Sequence, residues 1–286
     1  MQRNVFMIIV IIVSTITIPI PLHAQESDLD VHFIDVGQGD SILIETPSGK
    51  NILIDGGRPK AGKKVVTFLK KQGVGKIDLM VATHPDIDHI GGLITVMKTF
   101  EVKRMLDIGK INSTKTYARY VSQIIRQQIP IEIAERDDLI KVDSELKVRI
   151  LNSHTGSKTA NQSSIVMKMT FEETDFLLMS DVEKKQEKKL MKNYNLDSDI
   201  LKVAHHGSHT STGLKFLREV TPEAAILTYG QKNKFGHPVD RVMDNLRKVN
   251  TAIYPTAMFG TITIRTDEKG FVIINEKSPT NWLETG

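Results

Sequence analysis

The sequence predicts an α/β protein (α+β in some schemes) arranged as a four-layer αββα sandwich, with two mixed sheets face to face and helices outside. Three observations lead there. Strand-type and helix-type segments alternate from residue 29 to residue 275, the pattern of sheets covered by helices. They fall into two strand-rich halves, each with its own helices, and no linker rich in Pro, Gly or Ser divides them. The apolar run 77–82 reads as a buried strand that ends at a cluster of polar side chains, where open α/β architectures place their chemistry.

In chain order, residues 29–36 alternate and predict a strand. Residues 41–45 and 51–54 continue it as a meander around the turn Pro47-Ser48-Gly49. Residues 63–71 have helical periodicity and stop at Gly73. The strand 77–82 precedes a short helix over 92–100, a strand over 103–108 and an amphipathic helix over 117–128 closed by Pro130. The second half repeats the style. Strands are expected over 146–151, 164–171, 175–180, 200–204, 224–228, 251–255, 260–265 and 271–275. Helices are expected over 182–194, within 212–220 and over 239–249.

The 286 residues have 40% hydrophobic and 25% charged composition, an ordinary globular balance. With no cysteine, disulfides and thiolate metal sites are excluded, so histidine must supply any softer ligand. A net charge of +4 mildly favours polyanionic partners, although a solvated basic surface explains it as well. The lysine-rich segment 184–192 is expected to be a solvated helix face. Aromatics are only 6%, and no stacking platform interleaved with basic residues is expected.

Residues 1–24 read as a signal peptide: Arg3, an apolar stretch, Pro19 and Pro21, then Leu22-His23-Ala24 before Gln25. Residues 25–286 form the expected mature domain, exported to the periplasm, cell surface or medium. The alternative is an uncleaved anchor, because 5–22 approaches membrane-spanning length.

The segment His84-Pro85-Asp86-Ile87-Asp88-His89, followed by Gly91-Gly92, puts four metal-type side chains in one loop past a strand end. His154, His205, His206 and His237 fall at other predicted strand ends or in glycine-flanked loops, with Asp181 beside them. Together they point to a metal centre. Asp181 reads either as a metal ligand or as a helix cap.

Further segments carry a recognisable pattern. They are Phe33-Ile34-Asp35-Val36-Gly37-Gln38-Gly39-Asp40-Ser41, Leu53-Ile54-Asp55-Gly56-Gly57, the stretch from Asn161 to Ser164, Phe176-Leu177-Leu178-Met179-Ser180-Asp181, Leu201-Lys202-Val203-Ala204-His205-His206-Gly207-Ser208 and Gly236-His237-Pro238. In this order, with the histidine–aspartate loop, they resemble the metallo-β-lactamase superfamily. Within it they resemble the hydrolase domain of ComEC-type DNA-uptake proteins. The resemblance implies a metallo-β-lactamase-like sandwich and two divalent ions, Zn²⁺ or Mn²⁺. His84 and Asp86 would bind one ion, Asp88 and His89 the other, and Asp181 would bridge them. One of His205 and His206 would complete the second site; we assign His205 to metal and His206 to the substrate side with His237 and Asp88. Asp55 would brace the ligand loop, with Asp40, Asn161, Ser164 and Ser208 packed beside the ligands. His154 stands between a ligand of the first ion and a surface-loop residue.

Two departures inform the chemistry. Asp86 stands where the wider superfamily has histidine, which hardens the site toward Mn²⁺. Ser180 stands where the branch usually has glycine. A two-metal site lowers the pKa of a water from about 15.7 toward neutrality. The implied activity is therefore an exported phosphodiesterase or nuclease using a metal-bridging hydroxide on an anionic substrate, with DNA the leading case. The alternatives are hydrolysis of a small or wall-linked ester, as in phosphorylcholine esterases, and a non-catalytic homologue that binds DNA or a partner.

Overall fold

The protein is described here by a computed structural model covering residues 28–154 and 159–278; the expected signal peptide, residues 1–24, lies outside the described residues. The first sheet runs, edge to edge, through β17 (Gly270–Asn275), β16 (Ile262–Asp267), β1 (Leu29–Phe33), β2 (Ile42–Glu45), β3 (Asn51–Ile54), β5 (Leu79–Ala82), β7 (Met105–Asp107) and β8 (Ile131–Ile133). The second runs through β15 (Ala252–Pro255), β14 (Ala224–Leu227), β13 (Ile200–Lys202), β12 (Thr174–Leu178), β11 (Val166–Phe171), β10 (Leu146–Asn152) and β9 (Leu139–Ile140). A small pair, β4 (Lys76–Ile77) and β6 (Glu101–Val102), stands apart. Both large sheets are mixed: β3, β5, β7 and β8 run parallel, as do β12 to β15, and the rest are antiparallel.

Strand alternation builds three apolar layers. Ile42, Ile44, Val81, Met169, Phe176 and Leu178 point between the sheets. Leu43, Leu53 and Met80 point the other way, under α1 (Gly62–Lys71), α3 (Leu93–Met97) and α4 (Lys115–Gln127). Leu177, Leu201 and Ala225 lie under α6 (Lys184–Asn193), α7 (Leu214–Val220) and α8 (Asp240–Lys248). A central strand thus buries both faces, which is why these runs are apolar at successive positions. The αββα order follows.

The helices close where their ends demand it. The Thr114 side chain accepts from the Tyr117 amide at the start of α4, and Gln128 turns left-handed at its end (φ 54°). In α6, Leu190 is buried while Lys185, Lys188, Lys189 and Lys192 are exposed, so the lysine run is a solvated face. Two differences from the sequence reading have plain causes. The strand expected over 77–82 is split at Asp78, whose carboxylate accepts from the Asn51 amide at 3.0 Å. β8 and β9 are edge strands with exposed Ile131, Ile133 and Leu139, so no burial pattern marks them. Among the described residues no helix is long and apolar enough to cross a membrane.

Phe176 is fully buried between the sheets. Phe176→Ala is expected to cost about 3–5 kcal/mol, read as a lower urea midpoint at unchanged m-value.

Candidate metal centre

Parallel strands from both sheets end at one place. Asp55 follows β3, Thr83 and His84 follow β5, Ser180 and Asp181 lie just past β12, His205 and His206 just past β13, and Thr228 follows β14. α2 (Ile87–Ile90) begins immediately after Asp86 and carries Asp88 and His89. Close backbone approach locks this loop in place. The Asp40 amide donates to the Asp88 carbonyl at 3.2 Å, and the Gly56 amide to the His89 carbonyl at 2.8 Å. A Cβ on Gly39, itself at φ 132°, would run into the Asp88 carbonyl. The Gly37-Gln38-Gly39-Asp40 turn is thus a clamp on the metal-type loop.

Four imidazoles converge on one carboxylate oxygen. The Nε2 atoms of His84, His89, His205 and His206 lie 3.7, 3.4, 3.6 and 3.8 Å from Asp181 Oδ2. Asp86 Oδ2 is 3.7 Å from His84 Nε2. Asp88 Oδ2 is 3.6 Å from the Arg58 guanidinium. Ligand-type triads within 4.8 Å are His84–His89–Asp181, Asp40–Asp181–His206 and Asp40–Asp55–His89. The first two share Asp181, as a bridging carboxylate would require.

Asp40 and Asp55 are occupied as braces. Asp55 accepts from the Thr83 amide (2.9 Å), the Thr83 hydroxyl (2.6 Å) and His89 Nδ1 (2.7 Å). Since the Thr83 proton goes to Asp55, its Oγ1 accepts from His84 Nδ1 at 3.1 Å and from the Ser180 hydroxyl at 2.9 Å. One hydroxyl therefore ties the first sheet to the second and fixes the His84 tautomer. Asp40 pairs with the buried Lys202 ammonium at 3.0 Å and accepts from the Thr228 hydroxyl. His206 Nδ1 donates to the Thr228 carbonyl at 2.8 Å. In each of His84, His89 and His206 the proton sits on Nδ1, which turns Nε2 toward Asp181.

Electrostatics follow from burial and neighbours. Burial opposes charge on His89, but Asp181 and Asp55 outweigh it and raise the imidazole well above its ordinary pKa. Burial and the nearby His89 hold His84 well below. Burial also acts against charge on His206, yet Asp181 and Asp40 raise it. Burial would raise Asp181, but His89 and His206 hold it well below the usual carboxylate range. His237, desolvated and close to His206 and His205, is lowered to about 4.

The donor set fits a divalent metal. His84 Nε2, His89 Nε2, His206 Nε2 and Asp181 Oδ1 are buried and have no hydrogen-bond partner. Leaving such groups unsatisfied costs about 1–3 kcal/mol each, and imidazole nitrogen with carboxylate oxygen is a Zn²⁺ or Mn²⁺ donor set. The histidine pair suits the reverse of the roles read from the sequence. His206 is buried with a fixed tautomer, as a ligand needs, whereas His205 is 20% exposed, with Nε2 3.4 Å from the Asn161 amide nitrogen and Nδ1 3.2 Å from Thr210 Oγ1. His205 faces the pocket. His154 is exposed and, among the described residues, is absent from these triads and ion pairs; the surface-loop alternative suits it.

Asp86, Asp88, Asp181, His205, His206 and His237 line one pocket of about 320 Å³ with Gln38, Arg58, Asn112, Thr114 and Phe235. Ser164 and Ser208 stand back from it. Ser164 Oγ donates to the Asn161 carbonyl at 2.6 Å, and Ser208 Oγ is 3.2 Å from Thr210 Oγ1. Thr83, Thr228, Lys202 and Arg58 were given no role by sequence reasoning, since none is a ligand type except through its neighbours. Ser180 has φ 46°, a left-handed conformation that explains glycine as the usual residue. Its hydroxyl bond to Thr83 offsets the Cβ cost of roughly 1–2 kcal/mol.

Thr83→Val keeps the shape but removes the hydroxyl node. Metal affinity is expected to fall about 10–100-fold, measured by chelator competition. Lys202→Met leaves Asp40 charged, buried and unpaired, and is expected to cost about 3–5 kcal/mol in urea unfolding.

The Metallo-beta-lactamase superfamily profile matches residues 34–231. The chain is 32% identical over 259 residues to ComE operon protein 3 of Bacillus subtilis (strain 168), covering 84% of this chain and 33% of that protein. It is 29% identical over 240 residues to Competence protein ComA of Neisseria gonorrhoeae, covering 83% and 32%. The chain thus spans about a third of the length of these relatives. Among solved structures, the metallo-beta-lactamase fold protein YhfI of Bacillus subtilis superposes with a TM-score of 0.54 at 12% identity over 84% of this chain and 100% of that one. A metallo hydrolase from Ignicoccus hospitalis gives 0.53 at 15% identity, covering 87% and 100%. These likenesses speak for the fold. With a superfamily profile over most of its length and the ligand types gathered at the strand ends of both sheets, the chain belongs to the metallo-β-lactamase superfamily and resembles the ComEC-type competence proteins within it.

Proposed function

We propose that this chain is an exported, binuclear metal-dependent phosphodiesterase that acts as a nuclease. The observation that carries this reading is the convergence of four imidazole Nε2 atoms on Asp181, 3.4–3.8 Å away, at a pocket that also presents Arg58. His84, Asp86 and Asp181 would hold one ion; Asp88, His89, His206 and Asp181 would hold the other. Two divalent ions there supply Lewis acidity toward a phosphoryl oxygen and lower the pKa of water.

The chain's own residues do the rest. Arg58, Asn112 and Thr114 line the pocket and offer N–H and O–H donors to the non-bridging oxygens of a phosphodiester. His205, held between Asn161 and Thr210, walls the pocket beside the same group. His237 lines the same pocket with its Nδ1 buried and unpartnered, and faces the substrate. Asp86 adds negative charge where an imidazole would be neutral, which favours Mn²⁺ and speeds release of an anionic product. The relatives named for competence support a nucleic-acid substrate, and the secretory pattern of residues 1–24 supports export.

A panel of linear DNA, RNA, bis-p-nitrophenyl phosphate and a phosphorylcholine ester, each with Mn²⁺, Mg²⁺ or Zn²⁺, tests the reading. DNA cleavage is expected, with loss on chelation and recovery on adding metal back. Asp181→Asn is expected to lower kcat/KM by about 10³-fold or more, equal to several kcal/mol of transition-state stabilisation. Turnover of only the small ester would move the substrate to the wall-linked class. Activity of Asp181→Asn equal to wild type would overturn the site.

A further inference from the structure

We infer that Phe235 is a stacking platform for a nucleobase, so that the pocket selects single-stranded nucleic acid at a nucleotide beside the scissile phosphate; this rests on the phosphodiesterase reading above. Phe235 is 56% exposed, yet it lines the same pocket as Asp181, His205 and His206. It stacks on the His237 ring, with centroids 5.6 Å apart and planes 23° from parallel. More than half of the side chain is left to solvent. A phenylalanine kept on the surface in this way adds little to the core, and its open surface is available to a ligand.

The loop that carries it is braced. Asn233 Nδ2 donates to the carbonyls of Gly230 (2.9 Å) and His237 (2.7 Å). Its Oδ1 accepts from the amides of Phe235 (3.1 Å) and His237 (3.0 Å). The Gly230 amide donates to Gln38 Oε1 at 3.3 Å, which pins the loop to the glycine turn beneath the metal centre. One asparagine thus spends its whole hydrogen-bonding capacity on presenting Phe235 and His237 together. Pre-organisation of this kind lowers the ordering cost of binding.

The loop is also charged for a polyanion. Lys232 and Lys234 are exposed on either side of Asn233, so two basic residues lead into the aromatic one in Lys232-Asn233-Lys234-Phe235. Backbone-tracking lysines beside an aromatic face are how sequence-tolerant single-strand sites are built. A base inside a duplex is already stacked and paired, so only a single strand or an open end offers one to Phe235. A quaternary ammonium such as choline is held best by several rings, and among the described residues Phe235 is the one Phe, Tyr or Trp lining this pocket.

Binding of a fluorescent single-stranded oligodeoxynucleotide is compared with a deoxyribose-phosphate chain of equal length and no bases, using anisotropy with the full chain. Wild type is expected to prefer the base-bearing strand by about tenfold. Phe235→Ala is expected to lose that preference, and Phe235→Trp to keep it. Equal weakening of both strands by Phe235→Ala, or no weakening of either, would overturn the inference. Cleavage is scored separately on the same two strands. If neither is cut with Mn²⁺, Mg²⁺ or Zn²⁺, the phosphodiesterase reading falls, while the ratio of dissociation constants still decides the stacking.

Discussion

A buried carboxylate that must be neutralised governs this molecule. Asp181 is 4% exposed and lies within reach of four imidazole nitrogens. Asp40 and Asp55 are buried close by, and among the described residues Lys202 is the single buried ammonium, paired with Asp40. Buried carboxylates without compensation are costly. These carboxylates favour charge on their imidazole neighbours, which is why His89 and His206 are raised although both are buried. Divalent ions would answer the same demand and would take up the unpartnered nitrogens as well.

The fold exists to bring that carboxylate and those imidazoles together. Two sheets supply parallel strands whose carboxyl ends meet at one rim, and each strand end contributes one or two side chains. Thr83 joins the two sheets chemically: it accepts from Ser180 past β12 and donates to Asp55 past β3. Backbone strain collects at the same rim. Asp55, Ser180, His205 and His206 all have positive φ, between 46° and 56°. Each is a left-handed residue that ordinary packing would avoid. The cost is carried by the cores on either side, where the strands themselves are regular and buried.

The substrate side is organised differently from the metal side. The candidate ligands sit at strand ends or, for Asp86, Asp88 and His89, in the loop and short helix just past β5, whereas Arg58, Asn112, Thr114 and Phe235 come from turns and loops around the mouth. Rigid ends suit ion geometry, and loops suit selection among substrates. Asn233 is the exception that lends a loop some of the rigidity of a strand.

Much of this was written in the sequence. Apolar runs with period two placed the central strands, because both faces of those strands are buried. The histidine–aspartate loop, Asp181 and the histidine pair announced a metal centre through residue chemistry alone, and Asp86 and Ser180 stood out against the family pattern. Edge strands β8 and β9 were invisible, since pairing rather than burial creates them. The sequence could not tell His205 from His206. Adjacent residues in a left-handed kink point apart by an amount that periodicity does not encode, and the contact that fixes the His206 tautomer is the Thr228 carbonyl, 22 residues away and reached only because β13 and β14 pair in parallel. Lys202, Thr83 and Phe235 gained meaning in the same way. Ligand chemistry is a property of residue types and is carried by the chain. Tautomer, burial and the facing of a ring are properties of neighbours, and only the tertiary structure chooses those.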